Sequence, residues 1–226
     1  MILLGLTGSI AMGKSFVAGV LTKMGIPVLD SDAVVHDLYA PGGAAVEPVR
    51  ALFGASVVAE DGGISRSALG AFVLGPENEA NMRALEAAVH PLVDDARWAF
   101  LDAAEADAHP LVVIDIPLLY EKGYEDTVDA VMVASTGDAD EQRARALARP
   151  GMTPEKFESI LARQVPDEKK RERADFIVET KREMAETEAA VRALVERVRG
   201  GEGGVAPRAL ARGRDARKPR RKTNGA

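Results

Sequence analysis

Short apolar runs alternate along the chain with longer stretches in which apolar residues recur every three or four positions. The apolar runs predict buried strands at 2–6, 27–30, 111–115, 129–134 and 176–178. The periodic stretches predict helices at 15–24, 33–39, 45–53, 67–74, 77–105, within 138–173 and at 183–198. Strands separated by helices are typical of βαβ units, so we expect an α/β fold in which helices flank a parallel sheet.

A phosphate-binding motif lies between the first predicted strand and the first predicted helix. Residues 8–15 match G-x-x-x-x-G-K-[ST], with Gly8, Gly13, Lys14 and Ser15 at the constrained positions. Glycine allows a turn tight enough for successive N–H groups to converge on one anion, and the helix adds its positive end. Lys14 can reach the β- and γ-phosphates, and the Ser15 hydroxyl can bind Mg²⁺. The alternative interpretation is a glycine turn beside an unrelated lysine.

Acidic residues end the second and third predicted strands. Because ligands bind outside the carboxyl ends of parallel strands, we expect Asp30, Asp32 and Asp115 to share one crevice with the phosphate loop. Asp32 is a candidate to accept a proton from a substrate hydroxyl, although Ser31 or Asp32 could equally cap the helix that follows. Asp115 is a candidate magnesium ligand or, alternatively, an ordinary solvated acid.

Two arginines and a histidine complete the candidates. Arg145 and Arg149 lie four residues apart in a predicted helix, which would place both on one face where they could neutralise charge on a transferred phosphoryl group. Their alternative role is a solvated charged face. His90 precedes Pro91, at what we predict to be the end of a long helix, and is either a substrate contact or a structural residue.

Composition narrows the class of protein. The 226 residues are 46% apolar and include no cysteine, which excludes disulfides and thiolate chemistry. The sequence has no apolar stretch long enough to span a membrane and no signal-peptide pattern, so a cytoplasmic protein is the simplest expectation. A monomer and a small homo-oligomer both remain open.

Charge is distributed unevenly between the body and the C-terminus. Residues 200–226 carry eight basic and two acidic side chains, whereas residues 1–199 have a net charge of −12. We therefore expect a core that does not bind nucleic acid and a disordered basic tail. The tail is either an electrostatic tether for RNA and acidic surfaces or a dispensable extension, and we favour the extension.

A further set of segments supports a family resemblance. These segments are Gly5-Leu6-Thr7-Gly8, residues 25–32, Phe53-Gly54, His90-Pro91, residues 116–121, Gln142, Arg145, Arg149, Gln164 and residues 174–178. In this ordered combination the chain resembles dephospho-coenzyme A kinases over about positions 1–198. The resemblance implies a P-loop kinase fold with a helical acceptor-binding insert and a lid. The implied parts are core at 1–43, 109–137 and 174–199, insert at 44–108, lid at 138–173 and tail at 200–226.

The resemblance also implies an activity and residue roles. The implied reaction transfers the γ-phosphate of ATP, with Mg²⁺, to the ribose 3′-hydroxyl of dephospho-coenzyme A. Asp32 would be the base, and Lys14, Arg145 and Arg149 would complete the catalytic set. The expected ATP contacts are Gly8, Ala11, Met12, Gly13, Lys14, Ser15 and Phe16. The expected acceptor contacts are Asp32, His90, Pro117, Leu118, Leu119 and Glu121, and the metal ligands are Ser15 and Asp115.

The sequence departs from the family pattern at several positions. Ala11 stands where the family has glycine, which is harmless only if its φ is negative. His36 replaces a frequent arginine, so any phosphate contact there would depend on pH. Thr180-Lys181 replaces the usual Asn-Gly on the expected adenine side. The alternatives are another small-molecule or nucleoside-monophosphate kinase and a non-catalytic, nucleotide-dependent RNA-binding protein.

Overall fold

The computed structural model describes residues 1–201 and 205 and divides them into two compact units. One unit joins Met1–Val28 to the chain from Ala104 onward, and the other is Leu29–Ala103. The sequence had predicted a helical insert at 44–108, so the second unit begins earlier than that insert, and the second predicted strand spans the boundary. The predicted tail lies outside the described residues except for positions 200, 201 and 205.

Five strands form a single sheet, which confirms the predicted α/β class. They are β1 (Ile2–Thr7), β2 (Val28–Asp30), β3 (Leu111–Asp115), β4 (Ala130–Ser135) and β5 (Phe176–Glu179). Their order is β2-β3-β1-β4-β5, and β1 pairs in parallel with both β3 and β4. β3 and β4 are buried at every position, as expected for strands covered on both faces.

Nine α-helices occur in the described residues. They are α1 (Lys14–Lys23), α2 (Ser31–Tyr39), α3 (Val46–Phe53), α4 (Arg66–Val73), α5 (Glu79–Ala106), α6 (Ala139–Leu147), α7 (Pro154–Leu161), α8 (Asp167–Arg173) and α9 (Met184–Arg199). None of them is long and apolar enough to cross a membrane.

The core of the first unit is built from aliphatic side chains of the sheet, α1 and α9. Val17, Val20 and Leu21 of α1 pack with Leu194 and Val195 of α9 against the central strands. The three buried α1 residues recur at the helical period, which is why the predicted amphipathic helix forms here. This packing fixes α1 directly behind the phosphate loop.

The second unit is helical and has its own core, which contains side chains such as Val46, Val49, Leu69 and Leu85. Its longest helix, α5, contains Pro91 and continues through it to Ala106. The prediction that His90-Pro91 ends a helix was therefore wrong. Proline removes one backbone donor and disfavours a helical conformation in the residue before it. In α5 the helix nevertheless continues through His90 and Pro91.

Candidate active site

The phosphate loop connects β1 to α1, and its glycines are required by close neighbours. A Cβ on Gly8 would lie 2.7 Å from the backbone oxygen of Ala134, so a larger residue would push the loop away from β4. Gly13 has φ +86° and faces Thr180, whose Cβ would lie 2.9 Å from an added Cβ. The two motif glycines therefore allow close backbone approach and a left-handed turn, as the spacing predicted.

Lys14 and Asp115 meet at the carboxyl edge of the sheet. The Lys14 ammonium lies 2.5 Å from Asp115 Oδ1, and the Asp115 side chain is only 4% exposed. β1 and β3 are paired so that Leu6 is opposite Asp115, and this register brings the end of β3 to the loop. The predicted meeting of Asp115 with the phosphate loop is thus present.

Ala11 has a left-handed backbone, with φ +62°. The condition under which its methyl group would be harmless, a negative φ, is not met, and an L-residue there carries roughly 1 kcal/mol of strain. The methyl group is nevertheless buried in a small cluster with Ala146 of α6 and Phe157 of α7. Packing against the helical arm, which comprises α6, α7 and α8, offsets part of the strain.

Three side chains hold the loop from outside the motif. Gln142 Nε2 donates to the Ile10 carbonyl at 2.8 Å, and the Ile10 N–H donates to Gln164 Oε1 at 3.0 Å. Thr180 Oγ1 donates to the Met12 carbonyl at 2.8 Å. The sequence gave Gln142 and Gln164 no role and placed Thr180 on the expected adenine side. It could not indicate these bonds, because the backbone groups involved lie more than 130 residues away along the chain.

Thr180 also organises the neighbouring arginine. Arg145 Nη2 donates to the Thr180 carbonyl at 2.8 Å, while Arg145 Nε donates to Glu141 at 2.7 Å. Next to them is a cavity of about 260 Å³ that opens beside the phosphate loop. Its walls are Gly13, Phe16, Arg145, Thr180, Arg182, Met184 and Thr187.

The two predicted arginines do not share a helix face. α6 ends at Leu147, with Ala148 as its C-terminal cap, so Arg149 follows the helix and is exposed. The prediction of a pair at i and i+4 on one helix was wrong, because Pro150 and Gly151 follow directly and end the helical pattern earlier than the charge spacing indicated. Arg145 alone is placed by α6 beside the loop.

The segment after β3 is largely buried. Leu119 is completely buried, and a Cβ on Gly5 would lie 2.7 Å from it, while Leu118 is exposed and Pro117 is half-buried. Glu121 pairs at 2.8 Å with Lys170, which is itself fully buried. The structure thus gives Leu119 and Glu121 roles in packing and charge pairing, and their contact with a substrate stays a prediction.

Tyr120 lies within the same segment and is also buried. The Arg173 guanidinium sits 4.3 Å from the centre of its ring. Burial raises the pKa of the Tyr120 phenol to about 12, against the opposing effect of Arg173. The phenol is therefore neutral at physiological pH and acts as a packing and cation–π partner.

Asp32 and His90, two of the predicted acceptor contacts, lie in the second unit. Asp30 caps α2 by accepting from the N–H groups of Asp32 and Ala33, at 2.9 and 3.1 Å. Neither Ser31 nor Asp32 performs the capping that the sequence offered as an alternative to a chemical role. Asp32 is exposed in the first turn of α2, and His36 and His90 are exposed on α2 and α5.

Comparison with known proteins decides the family. The sequence profile described as dephospho-CoA kinase (CoaE) matches residues 2–186. A dephospho-CoA kinase of Novosphingobium aromaticivorans is 50% identical over 87% of this chain and 94% of its own length. The chain belongs to the dephospho-CoA kinase family. The resemblance inferred from the sequence segments is confirmed.

Two further comparisons agree with this dephospho-CoA kinase assignment. A dephospho-CoA kinase of Mesorhizobium japonicum is 48% identical over 90% of this chain and 100% of its own length. The crystal structure of TT1252 from Thermus thermophilus, 34% identical, superposes with a TM-score of 0.73 over 87% of this chain and 97% of that one. The fold predicted for a kinase of this family is therefore confirmed over nearly the whole described chain.

The site offers this kinase one hydroxyl and one carboxylate for a metal ion. Ser15 is exposed at the start of α1, and the buried Asp115 carboxylate lies at the end of β3. Residues 1–201 and 205 contain no group of three His, Cys, Asp or Glu side chains arranged to hold a metal. This sparse donor set fits Mg²⁺, which takes one or two protein ligands and completes its shell with water and substrate phosphates.

Proposed function

We propose that this chain transfers the γ-phosphate of ATP to the ribose 3′-hydroxyl of dephospho-CoA, giving CoA. The observation that carries the proposal is the Lys14–Asp115 pair beneath a complete phosphate loop, in a chain of the dephospho-CoA kinase family. The reaction forms a bond between the acceptor oxygen and the γ-phosphorus and breaks the bond to the bridging oxygen of ADP. The acceptor hydroxyl gives up its proton.

On the donor side, the loop backbone and Lys14 bind the triphosphate. N–H groups at the first turn of α1 would donate to phosphate oxygens, and the helix end would add a favourable field. Lys14 would exchange its pairing with Asp115 for the β- and γ-phosphates. Ala11, Met12 and Phe16 would act with Gly8, Gly13 and Ser15 in the same subsite.

Ser15 and Asp115 would hold Mg²⁺, directly or through water. When bound, the ion neutralises phosphate charge and orients the transferred group. Once Lys14 turns to the phosphates, the Asp115 carboxylate would face this cation. The chain's own contribution is therefore an exchange of partners for one buried acid.

Asp32 would accept the proton of the acceptor hydroxyl. Capping of α2 falls to Asp30, so the side chain of Asp32 keeps its acceptor capacity, and its exposure lets it reach a substrate. A carboxylate side chain in this position can orient and accept such a proton. His90, Pro117, Leu118, Leu119 and Glu121 remain our proposed contacts for the acceptor.

Arg145 and Arg149 would neutralise charge on the transferred phosphoryl group. Arg145 is already positioned by Glu141 and Thr180 beside the loop. Arg149 lies beyond the end of α6 and is exposed, so its approach to the phosphates would depend on the loop that carries it. Bidentate guanidinium contacts suit a group whose charge is spread over three oxygens.

A panel of acceptors tests the function. The purified protein is incubated with ATP and Mg²⁺ and with dephospho-CoA, AMP, CMP or shikimate, and ADP formation and product mass are followed. We expect phosphate transfer to dephospho-CoA alone, with the product identical to CoA. Transfer to a nucleoside monophosphate instead would overturn the acceptor and retain the donor side.

We also propose that the kinase acts in the cytoplasm and that its core does not bind nucleic acid. The net charge of −12 over residues 1–199 supports the second statement, because it opposes binding to phosphate backbones. If a protein of residues 1–199 alone were retained on an RNA column at physiological salt, that result would contradict the second statement.

A further inference from the structure

The peptide groups around Ile10, in the middle of the phosphate loop, are held by two glutamines. Gln142 Nε2 donates to the Ile10 carbonyl at 2.8 Å, and the Ile10 N–H donates to Gln164 Oε1 at 3.0 Å. A carbonyl can only accept and an N–H can only donate, so each partner fixes which end of its glutamine amide faces the loop. One glutamine is used as a donor and the other as an acceptor.

We infer that Gln142 and Gln164 are positioning residues for phosphate binding, acting through the backbone of Ile10. This inference rests on the proposed function only in assuming that the loop binds ATP phosphates. The next residue, Ala11, has a strained left-handed backbone, which persists only where its surroundings determine it. Hydrogen bonds to both polar groups of Ile10 supply that constraint.

The two glutamines also connect the loop to the helical arm. Gln142 lies on α6 one turn before Arg145, and Gln164 lies between α7 and α8. The methyl group of Ala11 packs between Ala146 and Phe157 on the same arm. The backbone proposed to bind phosphate and the helix that carries Arg145 are therefore held together by a polar contact at Gln142 and an apolar contact at Ala146, four residues apart on α6.

Because Gln142 is buried, loss of its hydrogen bond to Ile10 would be costly. Gln142 is only 5% exposed. If its donor were removed by substitution, water could not replace it, and the Ile10 carbonyl would remain without a hydrogen bond. Gln164 is half-buried and accepts from an N–H. Replacing either amide by a carboxylate keeps the shape and adds the same charge, but only at position 142 does it place acceptor against acceptor.

The test compares Gln142→Glu with Gln164→Glu, measuring ATP affinity by calorimetry and kcat and KM on dephospho-CoA. We expect Gln142→Glu to raise the Kd for ATP about tenfold or more at pH 8, and Gln164→Glu to change it much less. Lowering the pH to about 6 should partly restore the ATP affinity of the Gln142→Glu variant, because a buried, protonated carboxyl can again donate to the Ile10 carbonyl. The KM for dephospho-CoA should stay near the wild-type value.

Gln142→Met provides a second, uncharged variant of similar volume without a donor. It should weaken ATP binding at every pH and show no rescue by acid. Equal losses in the two glutamate variants, a larger loss in Gln164→Glu, or normal ATP binding by folded Gln142→Met would overturn the inference. Because ATP binding is measured without an acceptor, failure of the wild-type protein to phosphorylate dephospho-CoA would count against the proposed function alone.

Discussion

The phosphate loop and the proposed acceptor residues of the second unit, Asp32 and His90, differ in how far the chain itself organises them. In the first unit, Lys14 is paired with Asp115, the Ile10 peptides with two glutamines and the Met12 carbonyl with Thr180. In the second unit, Asp32 and His90 are exposed on helices whose buried faces form a separate apolar core. One site is built from internal contacts, and the other presents side chains to solvent.

This difference indicates a division of labour. A triphosphate is a common ligand of fixed geometry, and a rigid cradle lowers the entropic cost of binding it. The chemistry specific to an acceptor then depends on a few exposed groups. Substitutions in the loop should therefore affect nucleotide binding, whereas substitutions of the exposed groups should affect turnover.

The largest effect is expected from Lys14→Met. Loss of the only motif ammonium should weaken transfer by about 10²- to 10³-fold and raise the Kd for ATP, because the negative charge on the phosphates is no longer neutralised. Lys23→Met, at the exposed end of α1, is the matched control and should leave both values unchanged. Normal ATP affinity in the Lys14→Met variant would contradict the proposal that Lys14 of the phosphate loop binds the nucleotide.

Asp32→Asn should have the next largest effect, with the opposite profile. We expect kcat on dephospho-CoA to fall about 10²-fold, since the acceptor proton loses its base, while the Kd for ATP stays unchanged. Steady-state kinetics and calorimetry measure the two quantities. Asp37→Asn, also exposed on α2, should behave as wild type. Near-normal turnover in Asp32→Asn would show that the base lies elsewhere.

Thr180→Val tests whether the hydrogen bond from Thr180 to the phosphate loop supports ATP binding. The change keeps the shape but leaves the Met12 carbonyl without its donor, so we expect KM for ATP to rise about fivefold to tenfold. Inorganic triphosphate should lose affinity by a similar factor, because the effect reaches the phosphates and not the base. Thr180→Ser should restore both, and Thr22→Val on the exposed face of α1 is the control. Weaker ATP binding with unchanged triphosphate binding would instead place Thr180 at the nucleobase.

The smallest effects concern backbone strain. Ala108 has φ +57° and is exposed, so Ala108→Gly should raise the free energy of unfolding by about 1 kcal/mol. Ala11→Gly removes similar strain but also a buried methyl group worth about 0.8 kcal/mol, and the two should nearly cancel. Denaturant titrations of both variants measure the difference. Equal stabilisation of the two variants would mean that packing of the Ala11 methyl group against Ala146 and Phe157 contributes nothing to the free energy of unfolding.

Much of the donor side could be predicted from local sequence. The strand–loop–helix order, the glycine requirements and the nearness of Asp115 follow from a motif of eight residues and from the rule that parallel strands end at one edge. β3 was predicted to the residue because a run of five apolar and acidic positions, Leu111–Asp115, allows no other element.

The remaining features depend on contacts that sequence spacing does not encode. Charge spacing placed Arg149 on a helix, whereas the helix ends at Leu147. Proline placed a helix end at His90, whereas the apolar period over 77–105 had predicted the continuous helix that α5 forms. The left-handed Ala11 lies between Ile10 and Met12, whose backbone groups bond to Gln142, Gln164 and Thr180. Such tertiary contacts override local preference.

The central claim is that this chain phosphorylates the 3′-hydroxyl of dephospho-CoA. Its most direct test supplies γ-labelled ATP and dephospho-CoA to the purified full-length protein and locates the label by phosphorus NMR and mass spectrometry. The account predicts one labelled phosphate on the ribose 3′-oxygen and one ADP per product. Label recovered only in inorganic phosphate, or attached to any other oxygen of the acceptor, would contradict it.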